Sequence, residues 1–177
     1  MKTGARIAWA ITGSGHYLSE CIDLLSQFER VDIFLSKAGQ EVLQQYHYKL
    51  SELCPNVKIY QDKTASAVPI GGFYRGVYHT VVIAPATSNT VAKCVLGISD
   101  SLITNVYAHA GKCKVPIIVY ACDAAPQLDS EAPDGIVTVY PRKIDLYNTE
   151  LLAKHQGTQV VLTLEELKHA LKVTING

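Results

Sequence analysis

Apolar residues follow two rhythms along this chain. Short unbroken runs at 6–11, 31–35, 57–60, 80–84 and 115–120 read as strands buried on both faces of a parallel sheet. A further run at 136–140 reads as a sixth strand. Between the strands the period changes. Residues 17–28 place Leu18, Cys21, Ile22, Leu24, Leu25 and Phe28 at the spacing of a helix packed on one side. A second helix is expected over 40–53, and a third after Thr90 with Val91, Val95, Leu96 and Ile98 as its apolar face. The last carries Leu164, Leu167, Ala170 and Leu171, and it opens on Thr163 with Glu165 and Glu166 in its first turn. Residues 61–75, with Pro69 and Gly71-Gly72, read as a looser segment.

Strands alternating with helices predict an α/β fold: an open, doubly wound parallel sheet in a flavodoxin-like or Rossmann-like three-layer sandwich. No internal repeat or linker divides the chain, so residues 1–177 are expected to form one domain. A hydrophobic content of 48% over 177 residues supports a sizeable core. Sixteen basic residues balance sixteen acidic ones, which argues against nucleic-acid binding. No apolar stretch approaches the ~20 residues of a membrane span, and the N-terminal segment is too soon broken by Gly13 for a secretion signal. A cytoplasmic location is the expectation. The five cysteines, Cys21, Cys54, Cys94, Cys113 and Cys122, include no CxxC pair, so reduced thiols are expected and no metal site.

In such sheets ligands bind beyond the carboxyl ends of the strands. Three of those ends carry small or hydroxylic residues: Thr12-Gly13-Ser14-Gly15, Ser36 to Gly39, and Ala84 to Thr90. Bare amides at Gly13, Ser14 and Gly15, with the hydroxyls of Thr12, Ser14 and Ser36, suit a phosphate at a helix start. The lysine of the GxxxxGK[ST] loop is absent, and the turn is not GxGxxG. A tight strand–helix connection accounts for the turn equally well. In 85–90, capping by Thr87 or Ser88 explains one hydroxyl but not four small polar residues in a row.

The stretch "APATSNTVAKCVLGISDSLITN" resembles the P-A-S-x-N-T-x-A-K-x-x-x-G-x-x-D-x-L-x-T signature of the homo-oligomeric FMN-binding flavoproteins. That group includes cysteine decarboxylases and UbiX-type prenyltransferases. "ITGSGHYLSE", "FLSKAG" and "RKIDLYNTELLAKHQGTQVVLTLEEL" are similar to a narrower branch, the archaeoflavoproteins and flavin-dependent dihydromethanopterin reductases. The resemblance implies FMN as cofactor. Thr12, Gly13, Ser14, Gly15 and Ser36 would lie at its phosphate, Pro85, Ala86, Thr87, Ser88 and Asn89 along its ring and ribityl chain, and Ser101 and Thr104 near the phosphate end. It also implies a homo-oligomer, a trimer or a multiple of trimers.

The decarboxylases' P-x-M-N-x-x-M-W segment is not matched: after the fifth strand the chain reads "VYACDAAPQLDSEAPDG". The expected function is therefore FMN-dependent oxidoreduction like that of dihydromethanopterin reductase, passing electrons from an external donor, ferredoxin or a nicotinamide cofactor, to a pterin or an iron–sulfur protein. The alternatives are an electron-transfer flavoprotein with no small substrate and a phosphopantothenoylcysteine-type decarboxylase. His16, Cys122 and Asp123 are candidate catalytic residues. Each has a structural counterpart reading: a solvated helix start, a small apolar filler and a turn residue. Tyr17 reads as a ring-stacking or a packing residue. Tyr74, Tyr78 and Tyr107 are candidates for an aromatic pocket or a subunit interface, and Arg142 and Lys143 for an acidic partner.

Overall fold

The computed structural model describes residues 6–53, 57–63, 68–132 and 134–176. Cys54, read above as a reduced thiol, and the N-terminal five residues lie outside them. Strand β1 (Arg6–Ile11) leads into α1 (Leu18–Leu25), and β2 (Val31–Leu35) into α2 (Lys37–Gln45) and the short α3 (Leu50–Leu53). Then come β3 (Lys58–Gln61), the short α4 (Gly71–Tyr74), β4 (Tyr78–Ala86), α5 (Ser88–Val95), α6 (Leu102–Lys112) and β5 (Ile117–Ala121). The chain ends in the pair β6 (Leu128–Ala132) and β7 (Gly135–Val139), then α7 (Lys143–Leu152), β8 (Thr158–Val161) and α8 (Leu164–Asn176).

Six strands form one parallel sheet in the order β3-β2-β1-β4-β5-β8. The chain winds outward from β1 through β2 to β3, then returns to β4 and winds the other way. This is the Rossmann-type order, with its switch point between β1 and β4. Strand alternation feeds both faces. Ile7, Trp9 and Ile11 pack with α1, α2 and α8, whereas Ala8 and Ala10 face Phe73, Val91, Ile103 and Val106 on the helices opposite. At the lower edge the Arg6 guanidinium donates to Asp32 at 2.8 Å and the Tyr78 hydroxyl donates to the same carboxylate at 2.9 Å, tying β1, β2 and β4. Tyr78 is thus a core residue, 4% exposed.

Four sequence expectations change. The helix expected over 40–53 is two helices, parted where His47 adopts φ 59°. The run at 136–140 forms β7, which pairs antiparallel with β6 outside the main sheet. The sixth parallel strand is instead β8, a four-residue edge strand. Leu96 and Ile98 are 70% and 43% exposed because α5 stops before them. Gly97 at φ 71° and the bond from the Ile98 amide to the Lys93 carbonyl close the helix in a left-handed cap.

Candidate functional site

The switch point brings together most of the residues singled out from sequence. Past the last β1–β4 pair, Ala10 with Ile83, the strands part, and the turns that follow them form the site. The Thr12 hydroxyl donates to the Pro85 carbonyl at 2.8 Å and accepts from the Thr87 amide at 2.9 Å. Thr87 begins α5, its Oγ1 accepting from the Thr90 amide at 3.3 Å. The Ala86 carbonyl accepts from the Cys122 amide at 3.0 Å, and the Ser88 amide donates to Asp123 at 3.2 Å. The tips of β1, β4 and β5 are thereby joined. Ser36, at the tip of β2, caps α2 by accepting from the Gly39 amide at 2.9 Å.

The glycine turn is bare for a reason visible in its neighbours. A Cβ on Gly13 would collide with the Ala38 side chain, and one on Gly15 with the Tyr46 hydroxyl. On Gly39 a Cβ would sit 2.6 Å from the Ile11 carbonyl oxygen. The turn therefore packs its bare backbone against side chains of α2 and the residue after it, and Gly39 brings α2 against the backbone at the tip of β1. Among the described residues, the amides of Gly13, Gly15 and His16 donate to no protein acceptor. Unpaired amides beside a helix start make a cradle for an anion, which fits a phosphorylated ligand.

His16 follows the turn. Its carbonyl accepts from the Ser14 hydroxyl at 3.3 Å and from the Cys122 thiol at 3.8 Å. Its Nε2 is buried without a partner among the described residues, the kind of atom that a ligand satisfies. Burial pulls the His16 pKa below its ordinary value, against the carboxylates of Glu20, Asp123 and Glu131, so the ring is neutral. Tyr17 adopts φ 62°, a strained position for an aromatic residue, and stacks on Tyr120 with ring centroids 4.6 Å apart. Packing is its role. The Cys122 thiol, buried, is pushed up to about 12. It stays protonated at neutral pH.

Ser101 and Thr104 stand apart from this network. Their hydroxyls cap α6 reciprocally, 2.9 Å from each other, and bond to no residue of the tips. Lys93 pairs with both oxygens of Asp100, which pins the loop after α5. Asn89 is exposed beside the site. Arg142 grips Asp145 through its guanidinium at 2.8 Å and starts α7, so it is no free cation. Tyr74 and Tyr107 bond to His109 and His155, away from the tips. Sequence reasoning missed Tyr46, whose hydroxyl donates to the Glu131 carbonyl at 2.8 Å and fastens the β6–β7 hairpin over the glycine turn. A cavity of about 590 Å³ opens there, lined by Gln45, Tyr46, His47, Glu131, Asp134 and Ile136. No local pattern announces such a contact, because its partners lie 85 positions apart. Among the described residues no group of His, Cys, Asp or Glu is arranged to hold a metal.

The Flavoprotein family profile matches residues 1–174. The chain belongs to the flavoprotein family. Burkholderia xenovorans DmrB, crystallised in complex with FMN and described as a cubic protein cage for redox transfer, is 48% identical to this flavoprotein. The match covers 99% of this chain and 98% of that one, with a TM-score of 0.91. An uncharacterized protein of Methanocaldococcus jannaschii is 31% identical over 175 residues, 94% of each chain. Dihydromethanopterin reductase (acceptor) of Methanosarcina mazei is 33% identical over 144 residues, 74% of this chain. The match spans 60% of that reductase's length.

Proposed function

We propose that this flavoprotein binds FMN at the tips of β1, β2 and β4 and passes electrons through it from an external donor to an acceptor, as a dihydromethanopterin-reductase-like oxidoreductase. The observation that carries the reading is the similarity to the FMN-bound DmrB over 99% of the chain, joined to the unpaired amides of the glycine turn. The amides of Gly13 and Gly15, with Ser36, would hold the phosphate. Ser14, expected from sequence to offer a bare amide there, instead donates its amide to the Thr12 carbonyl at 2.9 Å and its hydroxyl to the His16 carbonyl, and shapes the turn. Pro85, Ala86, Thr87, Ser88 and Asn89 would line the flavin, with His16 Nε2 and Asp123 on its open side. Bound FMN supplies the electron chemistry; the chain supplies placement.

Homo-oligomerisation belongs to the same reading. Ile136, Tyr140 and Tyr147 are 75%, 69% and 54% exposed on the hairpin and α7. A two-stranded ribbon open on both sides is a poor element alone and a good one when covered by further copies. Ser101 and Thr104, remote from the tips by hydrogen bonding, would then meet the flavin of a neighbouring copy in a trimer or a multiple of trimers. A cytoplasmic setting is supported by the free thiols of Cys21, Cys94, Cys113 and Cys122. No helix among the described residues is long and apolar enough to cross a membrane.

The test is stopped-flow reoxidation of the reduced, FMN-loaded protein by a dihydropterin or by oxidised ferredoxin. Acceleration by dihydropterin of at least ~100-fold over buffer is expected of an enzyme. Acceleration by ferredoxin alone would mark an electron carrier, and CO2 release from a pantothenoyl cysteine would mark a decarboxylase.

A further inference from the structure

We propose that Thr12 is the positioning residue of this site, a clasp that sets the spacing between the β1 turn and the start of α5 without touching the ligand. The inference rests on the FMN reading above and concerns how the two halves of the cradle are held in register.

Thr12 is only 1% exposed. Its hydroxyl donates to the Pro85 carbonyl at 2.8 Å and accepts from the Thr87 amide at 2.9 Å, while its own amide reaches the same carbonyl at 3.3 Å. Donor and acceptor functions are both spent inside the protein, in a place closed to a ligand. A hydroxyl engaged in this way cannot also serve a phosphate.

Its position makes the engagement consequential. The β1–β4 ladder ends at Ala10 and Ile83, and β4 breaks register with β5 between Ile83 and Ala86. Beyond the Ala10–Ile83 pair a single long backbone bond, from the Thr12 amide to the Pro85 carbonyl at 3.3 Å, links the β1 and β4 tips, and the Thr12 hydroxyl adds two shorter bonds across the same gap. What it grips is Thr87, the N-cap of α5. The Thr87 amide is held by Thr12 while the Thr87 hydroxyl caps the Thr90 amide, so the clasp sets the start of α5 relative to the Gly13 turn. A flavin held at its phosphate by one tip and along its ring by the other depends on that spacing. Displacement of a positioning group by about 1 Å costs on the order of 100-fold in reaction rate.

Three substitutions separate the clasp from mere filling of space. Thr12→Val keeps the shape and removes the hydroxyl. Thr12→Ser keeps the hydroxyl and removes a methyl. Thr12→Cys fills the site with a weak donor and acceptor, should the valine variant fail to fold. FMN and riboflavin are titrated into apoprotein by flavin fluorescence quenching, with visible circular dichroism of the bound flavin and urea unfolding recorded alongside. Thr12→Val is expected to bind FMN at least ~30-fold more weakly with an altered dichroic band, Thr12→Cys at least ~10-fold more weakly than Thr12→Ser, and Thr12→Ser within ~3-fold of the original protein. Unchanged affinity and dichroism in Thr12→Val or, if that variant does not fold, equal binding by the Cys and Ser variants would overturn the clasp. So would a loss in Thr12→Ser as large as that in Thr12→Val, because the serine variant keeps the hydroxyl. Failure of the unsubstituted protein to bind FMN would instead sink the functional reading, and the clasp's role with it.

Discussion

Ser36→Asp is expected to abolish FMN binding while leaving the fold intact. Ser36 caps α2 through its side-chain oxygen, accepting from the Gly39 amide at 2.9 Å. Aspartate is as good a cap as serine, and its charge suits the positive end of the helix, so stability should change by less than ~0.5 kcal/mol. At the same point a carboxylate would face the flavin phosphate. Two unit charges ~4 Å apart at an effective dielectric of about 20 repel by roughly 4 kcal/mol, and the phosphate carries between one and two charges. A loss of at least ~100-fold in FMN affinity follows, with riboflavin, which lacks the phosphate, bound within ~3-fold as before. Isothermal titration with both flavins and a urea melt give the three numbers. Retained FMN affinity would place the phosphate elsewhere.

Trp9→Ala is expected to give the largest stability loss of any single truncation. The indole is fully buried beside Phe28, ring centroids 6.2 Å apart, and its Nε1 donates to the Ala84 carbonyl at 2.8 Å. Truncating a buried aromatic to alanine costs about 3–5 kcal/mol, and the orphaned carbonyl about 1 more. Against a total of ~5–15 kcal/mol for a domain this is a large share. Ala84 immediately precedes the Pro85 carbonyl that Thr12 grips, so flavin affinity should fall along with stability. Trp9→Phe keeps most of the volume and is expected to lose about 1–2 kcal/mol. Urea unfolding monitored by far-ultraviolet circular dichroism measures both; a loss under ~1 kcal/mol in Trp9→Ala would refute the packing argument.

The sheet was legible where burial on two faces writes an unbroken apolar run, as at 31–35 and 80–84. It was illegible where pairing alone makes the strand. β8 has four residues at the sheet edge, with Val161 alone fully buried, and leaves no such run. Helix α7 escaped for a different reason. It buries Asp145, Asn148 and Thr149 together with Leu152, so no apolar stripe marks its inner face. In the site, the small residues at three strand ends were read directly, because a turn that must be bare can be spelled only with glycine and short hydroxylic residues. What each hydroxyl does was not. The sequence offered Thr12 and Ser36 alike as phosphate donors, yet the Thr12 hydroxyl is consumed between two backbones and Ser36 stands at a helix start. That distinction depends on which backbone groups the fold leaves unpaired, and this is a property of the assembled sheet.

Titration of apoprotein with FMN, riboflavin and adenosine monophosphate, followed by flavin fluorescence and calorimetry, addresses the central claim most directly. Convergent strand tips that cradle a phosphate and a flavin ring together should bind one FMN per chain, at least ~10-fold more tightly than riboflavin, and should not retain the adenine nucleotide. Equal affinity for FMN and riboflavin, or preference for the adenine nucleotide, would contradict it.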